Sequence, residues 1–282
     1  MKITLSAPAK INLTLAITGI REDGYHLLES VMQTVSLSDT VTVEKIPSGI
    51  VIACSRAGIP LDERNLCHKA AKAYLDRTGL QGGVKITLQK AIPDGAGMGG
   101  GSSDAAAVLQ AMRALYPGEA DLFAMAEELG ADVPFFLQGG TCLCRGIGEK
   151  LFPLAFPAKK NLFCVVAKPE EGLSTPRVYQ CYDAGGMDFS PPLSENALLT
   201  FQKGEAKDIF PLLENDLELP AIAMLPAIGS LKDRLFSLGA KGAMMTGSGS
   251  AVFGLFPAEQ DARRGAEALK RDGIWACFCT LI

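Results

Sequence analysis

The stretch Lys90-Ala-Ile-Pro-Asp-Gly-Ala-Gly-Met-Gly-Gly-Gly-Ser-Ser-Asp104 decides how the chain is read, because it is a glycine-dense loop that empties into a helix. Gly95, Gly97, Gly99, Gly100 and Gly101 fall within seven residues, and glycine loses more conformational freedom on folding than any other residue. Such a cost needs an offset. Ala105, Val108, Leu109, Met112 and Leu115 repeat at helical spacing until Pro117-Gly118, which sets Ser102 and Ser103 at the helix start. A helix N-terminus offers unpaired N–H groups and roughly half a positive charge, and glycine lets those amides approach an anion unobstructed. The stretch reads as a triphosphate cradle. An ordinary flexible loop with a serine cap would not need a helix start aligned behind it.

Two better-known phosphate motifs fail here. Gly95-x-Gly97-x-x-Gly100 matches the dinucleotide fingerprint and follows a strand-like run, Val84 to Leu88. That fingerprint needs a tight strand-to-helix turn and then a second parallel strand. Instead, Ala91 to Asp94 intervenes with Pro93, and the next segment, Glu119 to Leu129, is helical again. A Walker A loop is excluded because the chain has no Gly-Lys dipeptide.

At 282 residues the chain has room for two medium domains or one large one. A net charge of −4 argues against nucleic-acid or anionic-membrane partners, while small phosphorylated ligands need only local positive charge. No apolar run approaches the roughly 20 residues of a membrane span, and Met1 leads directly into Ile3-Thr-Leu with no targeting pattern, so a cytoplasmic location is expected. Of eight cysteines, two pairs are close, Cys142-x-Cys144 and Cys277-x-Cys279. Neither has zinc spacing, and both lie in strand-like runs, so buried free thiols are expected.

From the N-terminus, Lys10, Asn12 and Thr14 alternate with Ile11, Leu13 and Leu15, so the polar three share a strand face. On periodicity alone Lys10 is a solvated strand lysine. Gly24-Tyr25-His26 follows a charged turn; the pair suits stacking and edge bonding to a planar ring, and a locally satisfied histidine explains it equally. Val31 to Val35, Thr40 to Ile46 and Ile50 to Cys54 read as three strands, and Asn65 caps a helix that Gly79 stops near Thr78. Asp132, two residues before Pro134, reads as an N-cap with proline in the first turn. A domain boundary is expected between Phe152-Pro153 and Lys160, giving domains 1–156 and 157–282. Beyond it, Leu162 to Ala167 is a strand, Tyr179 falls on a helix after Ser174-Thr175-Pro176, and Thr246-Gly247-Ser248-Gly249 turns between two strands. A helix over Ala258 to Asp272 precedes a last strand.

Together, Pro8-Ala-Lys10-Ile-Asn12-Leu, Pro93-x-Gly-x-Gly97-Met-Gly-Gly-Gly-Ser102-Ser103 and Thr246-Gly247-Ser248-Gly249 resemble, in order and approximate spacing, the three motifs of the GHMP kinase superfamily. That superfamily takes its name from galactokinase, homoserine kinase, mevalonate kinase and phosphomevalonate kinase. Gly24-Tyr25-His26, the Gly-Gly-Gly-Ser-Ser form and Gly130-Ala-Asp132-Val-Pro134-Phe-Phe are similar to the members that act on a cytidine diphosphate compound in the non-mevalonate route to isoprenoid precursors. The resemblance implies an α/β fold of α+β two-layer build, the GHMP kinase fold, with a ribosomal S5 domain 2-like N-terminal domain and a ferredoxin-like C-terminal domain completing the substrate cleft.

It also implies an ATP-dependent kinase, with Mg2+, for a small-molecule substrate bearing a cytidine diphosphate group, working as a monomer or homodimer. In that reading Asp132 takes the proton from the substrate hydroxyl, and Lys10 holds the carboxylate and attacking oxygen. Pro93, Gly95, Gly97, Met98, Gly99, Gly100, Gly101, Ser102 and Ser103 wrap the ATP phosphates, with Ser102 or Ser103 near the divalent ion, and Asn65 and Leu66 border the adenine. Tyr25 and Tyr179 stack on the cytosine and His26 bonds its edge. Asn12, Lys90 and Thr175 lie near the substrate, and Gly247, Ser248 and Gly249 near its diphosphate. Asp104, a carboxylate beside the cradle, is expected to face the helix amides or the metal. Another GHMP small-molecule kinase and a non-catalytic metabolite-binding regulator on the same fold are the alternatives.

Overall fold

The structure is a computed structural model, and it describes residues 1–186 and 189–282. In chain order its elements are β1 (Lys2–Asn12), β2 (Thr14–Ile20), β3 (His26–Ile46), β4 (Gly49–Cys54), α1 (Leu66–Thr78), β5 (Gly83–Gln89), α2 (Gly100–Leu115), α3 (Leu122–Leu129) and α4 (Val133–Gln138). There follow β6 (Thr141–Arg145), β7 (Lys150–Pro153), β8 (Phe163–Lys168), α5 (Thr175–Ala184), α6 (Glu195–Lys203), α7 (Ala206–Ile209), β9 (Glu214–Asn215), α8 (Glu218–Met224) and α9 (Ala227–Ser237). The chain ends with β10 (Gly242–Met245), β11 (Val252–Phe256), α10 (Glu259–Arg271) and β12 (Trp275–Thr280). None of the described helices is long and apolar enough to cross a membrane.

The chain divides into two compact units. One comprises Met1–Ala9, Ser38–Ile92 and Gly99–Gly139. In it β5 runs antiparallel to β3, from Thr40 opposite Gln89 to Ile46 opposite Gly83, and parallel to β4. A parallel pair needs a crossover connection, and α1 supplies it between β4 and β5. The ends of α1 follow from local chemistry. The Asn65 side chain accepts the Cys67 N–H, and Gly79 closes the helix in the left-handed conformation at φ 67°. Helix α1 packs on α2, and α2 on α4. Val41, Val43, Ile86, Leu88, Tyr74, Val108, Met112 and Phe135 are buried there.

The other unit comprises Lys10–Leu37, Pro93–Met98 and Gly140–Ile282. Its first strands pair antiparallel, β2 with β3 and β3 with β6, and the short β9 joins β2 in parallel. A second sheet has the antiparallel order β10-β11-β8-β12, with α9 and α10 packed on it. The helices and sheet share a core of Val165, Ala167, Leu231, Leu235, Val252, Phe256, Ala266 and Leu269. The four cysteines of the two close pairs carry free thiols in β6 and β12.

Two expected elements are revised. Val31 to Val35 and Thr40 to Ile46 are not separate strands, because β3 runs unbroken for 21 residues. Gln33 to Val43 contains no glycine or proline, and burial alternates through the supposed break, with Leu37 and Asp39 buried between Ser36, Ser38 and Thr40. Helix α2 begins at Gly100, two residues before Ser102, because Gly99 takes the N-cap in the left-handed conformation, φ 70°. Ser102 and Ser103 therefore lie in its first turn.

Candidate active site

Within the second unit, three sequence motifs meet backbone to backbone. The glycine loop lies against the turn between β10 and β11: Ser250 N–H donates to the Gly95 carbonyl at 3.2 Å and Ala251 N–H to that of Ala96 at 3.3 Å. A Cβ on Gly97, at φ 71°, would stand 2.2 Å from the Thr246 carbonyl oxygen, and one on Gly247 2.7 Å from the Gly97 oxygen. Glycine is required on both sides of this seam. The first motif joins it through Lys10 N–H, which donates to the Met98 carbonyl at 3.1 Å, and Asn12 N–H, which donates to Thr246 Oγ1 at 3.0 Å.

Lys10 is not the solvated strand lysine that periodicity alone suggests; it is 4% exposed. Its ammonium donates to Asn12 Oδ1 at 2.5 Å and lies 3.2 Å from where a Gly247 Cβ would be. Asn12 is fixed in turn by Thr246 Oγ1, which donates to Oδ1, and by Ser30 Oγ, which accepts from Nδ2. Ser248 and Thr175 share a hydroxyl hydrogen bond of 2.6 Å, so two expected substrate residues from distant segments are brought together.

In the first unit the cradle's helical side shows a different chemistry. Gly101 has open space around it. The buried Ser103 hydroxyl has no hydrogen-bond partner. Among the described residues no cluster of three His, Cys, Asp or Glu could hold a metal. Magnesium that arrives with a nucleotide takes phosphate and water oxygens with only one or two protein ligands, and the unpartnered Ser103 oxygen fits such a minor share.

Asp104, expected to face the helix amides or the metal, turns one carboxylate oxygen to Lys90 and leaves the other, Oδ1, buried without a hydrogen bond. Its Oδ2 accepts from Lys90 Nζ at 2.6 Å. The same ammonium bonds Asp39, and all three side chains are buried. Lys90, expected near the substrate, is therefore turned inward between two carboxylates. Burial pushes the Asp104 carboxyl up to about 7 against the pull of Lys90. Burial also works against the charge on Lys90, but Asp104 and Asp39 outweigh it and hold the ammonium above its ordinary value.

Asp132 occupies the N-cap position of α4, with Pro134 in the first turn, yet its carboxylate makes no cap hydrogen bond. The position is as expected and the capping bond is not. The His26 and Tyr179 rings lie 4.7 Å apart at 38°, and His26 Nε2 bonds Asp183 Oδ1 at 2.7 Å. Tyr25 is 60% exposed beneath the Arg21 guanidinium. Both amide atoms of Asn65 are engaged, with Cys67 N–H and the Pro60 carbonyl. Leu66 opens α1 half-buried. A cavity of about 440 Å³ lined by Ile50, Leu61, Asp62, Arg64 and His68 borders that segment.

Several residues of the site lie outside the motifs. Asp183 lies four residues after Tyr179 on α5, a spacing that puts both on one helix face and could have found it. Asn215 Nδ2 donates to the Met245 and Gly247 carbonyls, both at 2.9 Å, and carried no signal. Asp39 and His68 were equally silent.

The family model for the GHMP kinases N terminal domain matches residues 65–140, and that for GHMP kinases C terminal matches 197–274. The chain is 46% identical over 272 residues to a 4-diphosphocytidyl-2-C-methyl-D-erythritol kinase of Thermus thermophilus, covering 96% of this chain and 94% of the relative. It is 43% identical to one of Clostridium botulinum, covering 89% of each. A crystal structure of 4-(cytidine 5'-diphospho)-2C-methyl-D-erythritol kinase superposes with a TM-score of 0.85 at 45% identity, over 99% of both chains. A homoserine kinase of Cytophaga hutchinsonii, at 20% identity and a TM-score of 0.76 over 99% of this chain and 94% of that one, shares the fold.

Proposed function

This chain belongs to the GHMP kinase family, and we propose that it transfers the γ-phosphoryl group of ATP to a hydroxyl of 4-diphosphocytidyl-2-C-methyl-D-erythritol, giving the 2-phosphate and ADP. The observation that carries the proposal is the seam of Lys10, Asn12, Gly97, Thr246 and Gly247, which gathers a buried ammonium and glycine-lined backbone into one place.

Phosphoryl transfer asks a protein chiefly for positioning and charge stabilisation. Asp132 accepts the proton of the substrate hydroxyl; its carboxylate is not consumed by capping α4. Lys10, held by Asn12, orients the attacking oxygen and stabilises negative charge on it. The amides and glycines from Pro93 to Ser103 hold the triphosphate at the start of α2, where the helix field favours anions. Ser102 or Ser103 would help hold the divalent ion, whose chemistry is to neutralise triphosphate charge. Tyr179, packed beside His26, and exposed Tyr25 stack on the cytosine, and His26, fixed by Asp183, bonds its polar edge. Thr175, Ser248 and the flanking glycines bind its diphosphate. The enzyme works in the cytoplasm on this small molecule, without nucleic-acid or membrane partners.

ADP release from ATP and magnesium, assayed with the cytidyl substrate, mevalonate, homoserine and galactose in separate reactions, tests the proposal. Turnover with the cytidyl compound alone is expected. Turnover with another alcohol would keep the phosphoryl chemistry and discard the cytosine reading, and no turnover in any reaction would point to a binding protein.

A further inference from the structure

We propose that Asp39, Lys90 and Asp104 form a buried charged clamp on the two ends of the glycine loop, making Lys90 a positioning residue for ATP and not a substrate contact. The proposal rests on the kinase reading above. Its basis is geometric. Lys90 Nζ bonds Asp39 and Asp104 at once, and the three side chains are 4%, 0% and 3% exposed. Asp39 Oδ1 also accepts the N–H groups of Ala91 at 2.5 Å and Ile92 at 2.8 Å. Arg56 donates to the Ile92 and Lys90 carbonyls, and Lys90 N–H donates to Ser55 Oγ. The loop's entry is thus held by its main chain, and its exit by Asp104 in α2.

Gly100 sets the first residue of that helix against the same group. A Cβ there would lie 3.1 Å from Ile92 Cγ2 and 3.5 Å from Lys90 Nζ. Between the tied ends run Gly95 to Gly101, whose freedom would otherwise be spread over many loop conformations. A buried ion cluster is a poor source of net stability, since apolar side chains of equal volume often serve as well. Fixing one geometry is the better account of two carboxylates and an ammonium in this place. With its side chain 4% exposed and its ammonium bonded to two buried carboxylates, Lys90 is turned away from a substrate.

Lys90→Met and the milder Asp104→Asn, each in the full chain, test this by two readouts. The first is steady-state kinetics with both substrates varied. The clamp predicts a KM for ATP raised about tenfold or more in Lys90→Met and severalfold in Asp104→Asn, with the KM for the cytidyl substrate within twofold. The second is amide exchange over residues 93–101 without nucleotide, expected about tenfold faster in Lys90→Met. A rise confined to the cytidyl KM would make Lys90 a substrate contact and overturn the clamp. So would unchanged KM values with unchanged loop exchange, even with lowered stability, because a purely structural tie would behave that way. If Lys90→Met does not fold, Asp104→Asn decides by the same criteria. If the wild-type chain turns over nothing, the kinase reading fails separately, and loop exchange with calorimetric ADP binding still decides the clamp.

Discussion

The glycine loop is held in two ways. Its middle, Gly95 to Met98, is held by neutral backbone against the Thr246–Gly249 turn, where Gly97 and Gly247 approach too closely for any side chain. Its ends, Lys90 to Ile92 and Asp104, are held by buried charge. The neutral seam tolerates no added atom, whereas the charged clamp tolerates no lost partner. A seam of glycines leaves amides free for an anion; a clamp of carboxylates could not line a triphosphate without repelling it.

Substitutions can break each part separately. The largest effect belongs to neither. Asp132→Ala leaves seam and clamp in place and should lower kcat by about 10²- to 10⁴-fold, the range of a general base, with ADP binding by calorimetry nearly unchanged. An unchanged kcat would return Asp132 to the role of helix start alone. Next is Gly97→Ala, which forces a side chain into positive φ and onto the Thr246 carbonyl. It should cost about 2 to 4 kcal/mol in urea unfolding and abolish tight ATP binding. Asn215→Ala removes both donors that brace the turn from behind and should cost about 1 to 3 kcal/mol, leaving the Met245 and Gly247 carbonyls without those bonds. Smallest is Gly101→Ala, where the Cβ meets open space within a helix. Its unfolding free energy should stay within about 1 kcal/mol of wild type, and a large loss there would show that the steric account of the seam is wrong.

The seam was legible in the sequence and the clamp was not. Glycines, serines and the Lys10-x-Asn12 spacing are local patterns with local causes, and so are the Asn65 cap, the Gly79 stop and the Gly-Ser-Gly turn. Asp39, Lys90 and Asp104 are brought together only by the pairing of β3 with β5 and the entry into α2, and no short-range pattern announces that. Lys90 therefore read as a substrate lysine and Asp104 as a metal or amide contact. The length of β3 was hidden for a related reason: Ser38-Asp39-Thr40 sets three polar residues in a row, and Asp39 keeps its buried place in the strand only through its bonds to Lys90 and to the Ala91 and Ile92 N–H groups. Lys10 shows the reverse: periodicity made it a surface residue, only the motif resemblance gave it a role at the site, and the structure buries it.

The proposed reaction is a phosphoryl transfer to an alcohol of a cytidine diphosphate compound. Phosphorus NMR of a reaction containing ATP, magnesium, the purified chain and 4-diphosphocytidyl-2-C-methyl-D-erythritol tests it most directly. Phosphoryl transfer to the alcohol gives one new phosphomonoester signal growing in step with ADP while the substrate's diphosphate signals persist. Growth of inorganic phosphate alone, or loss of the cytidyl diphosphate signals, would contradict it.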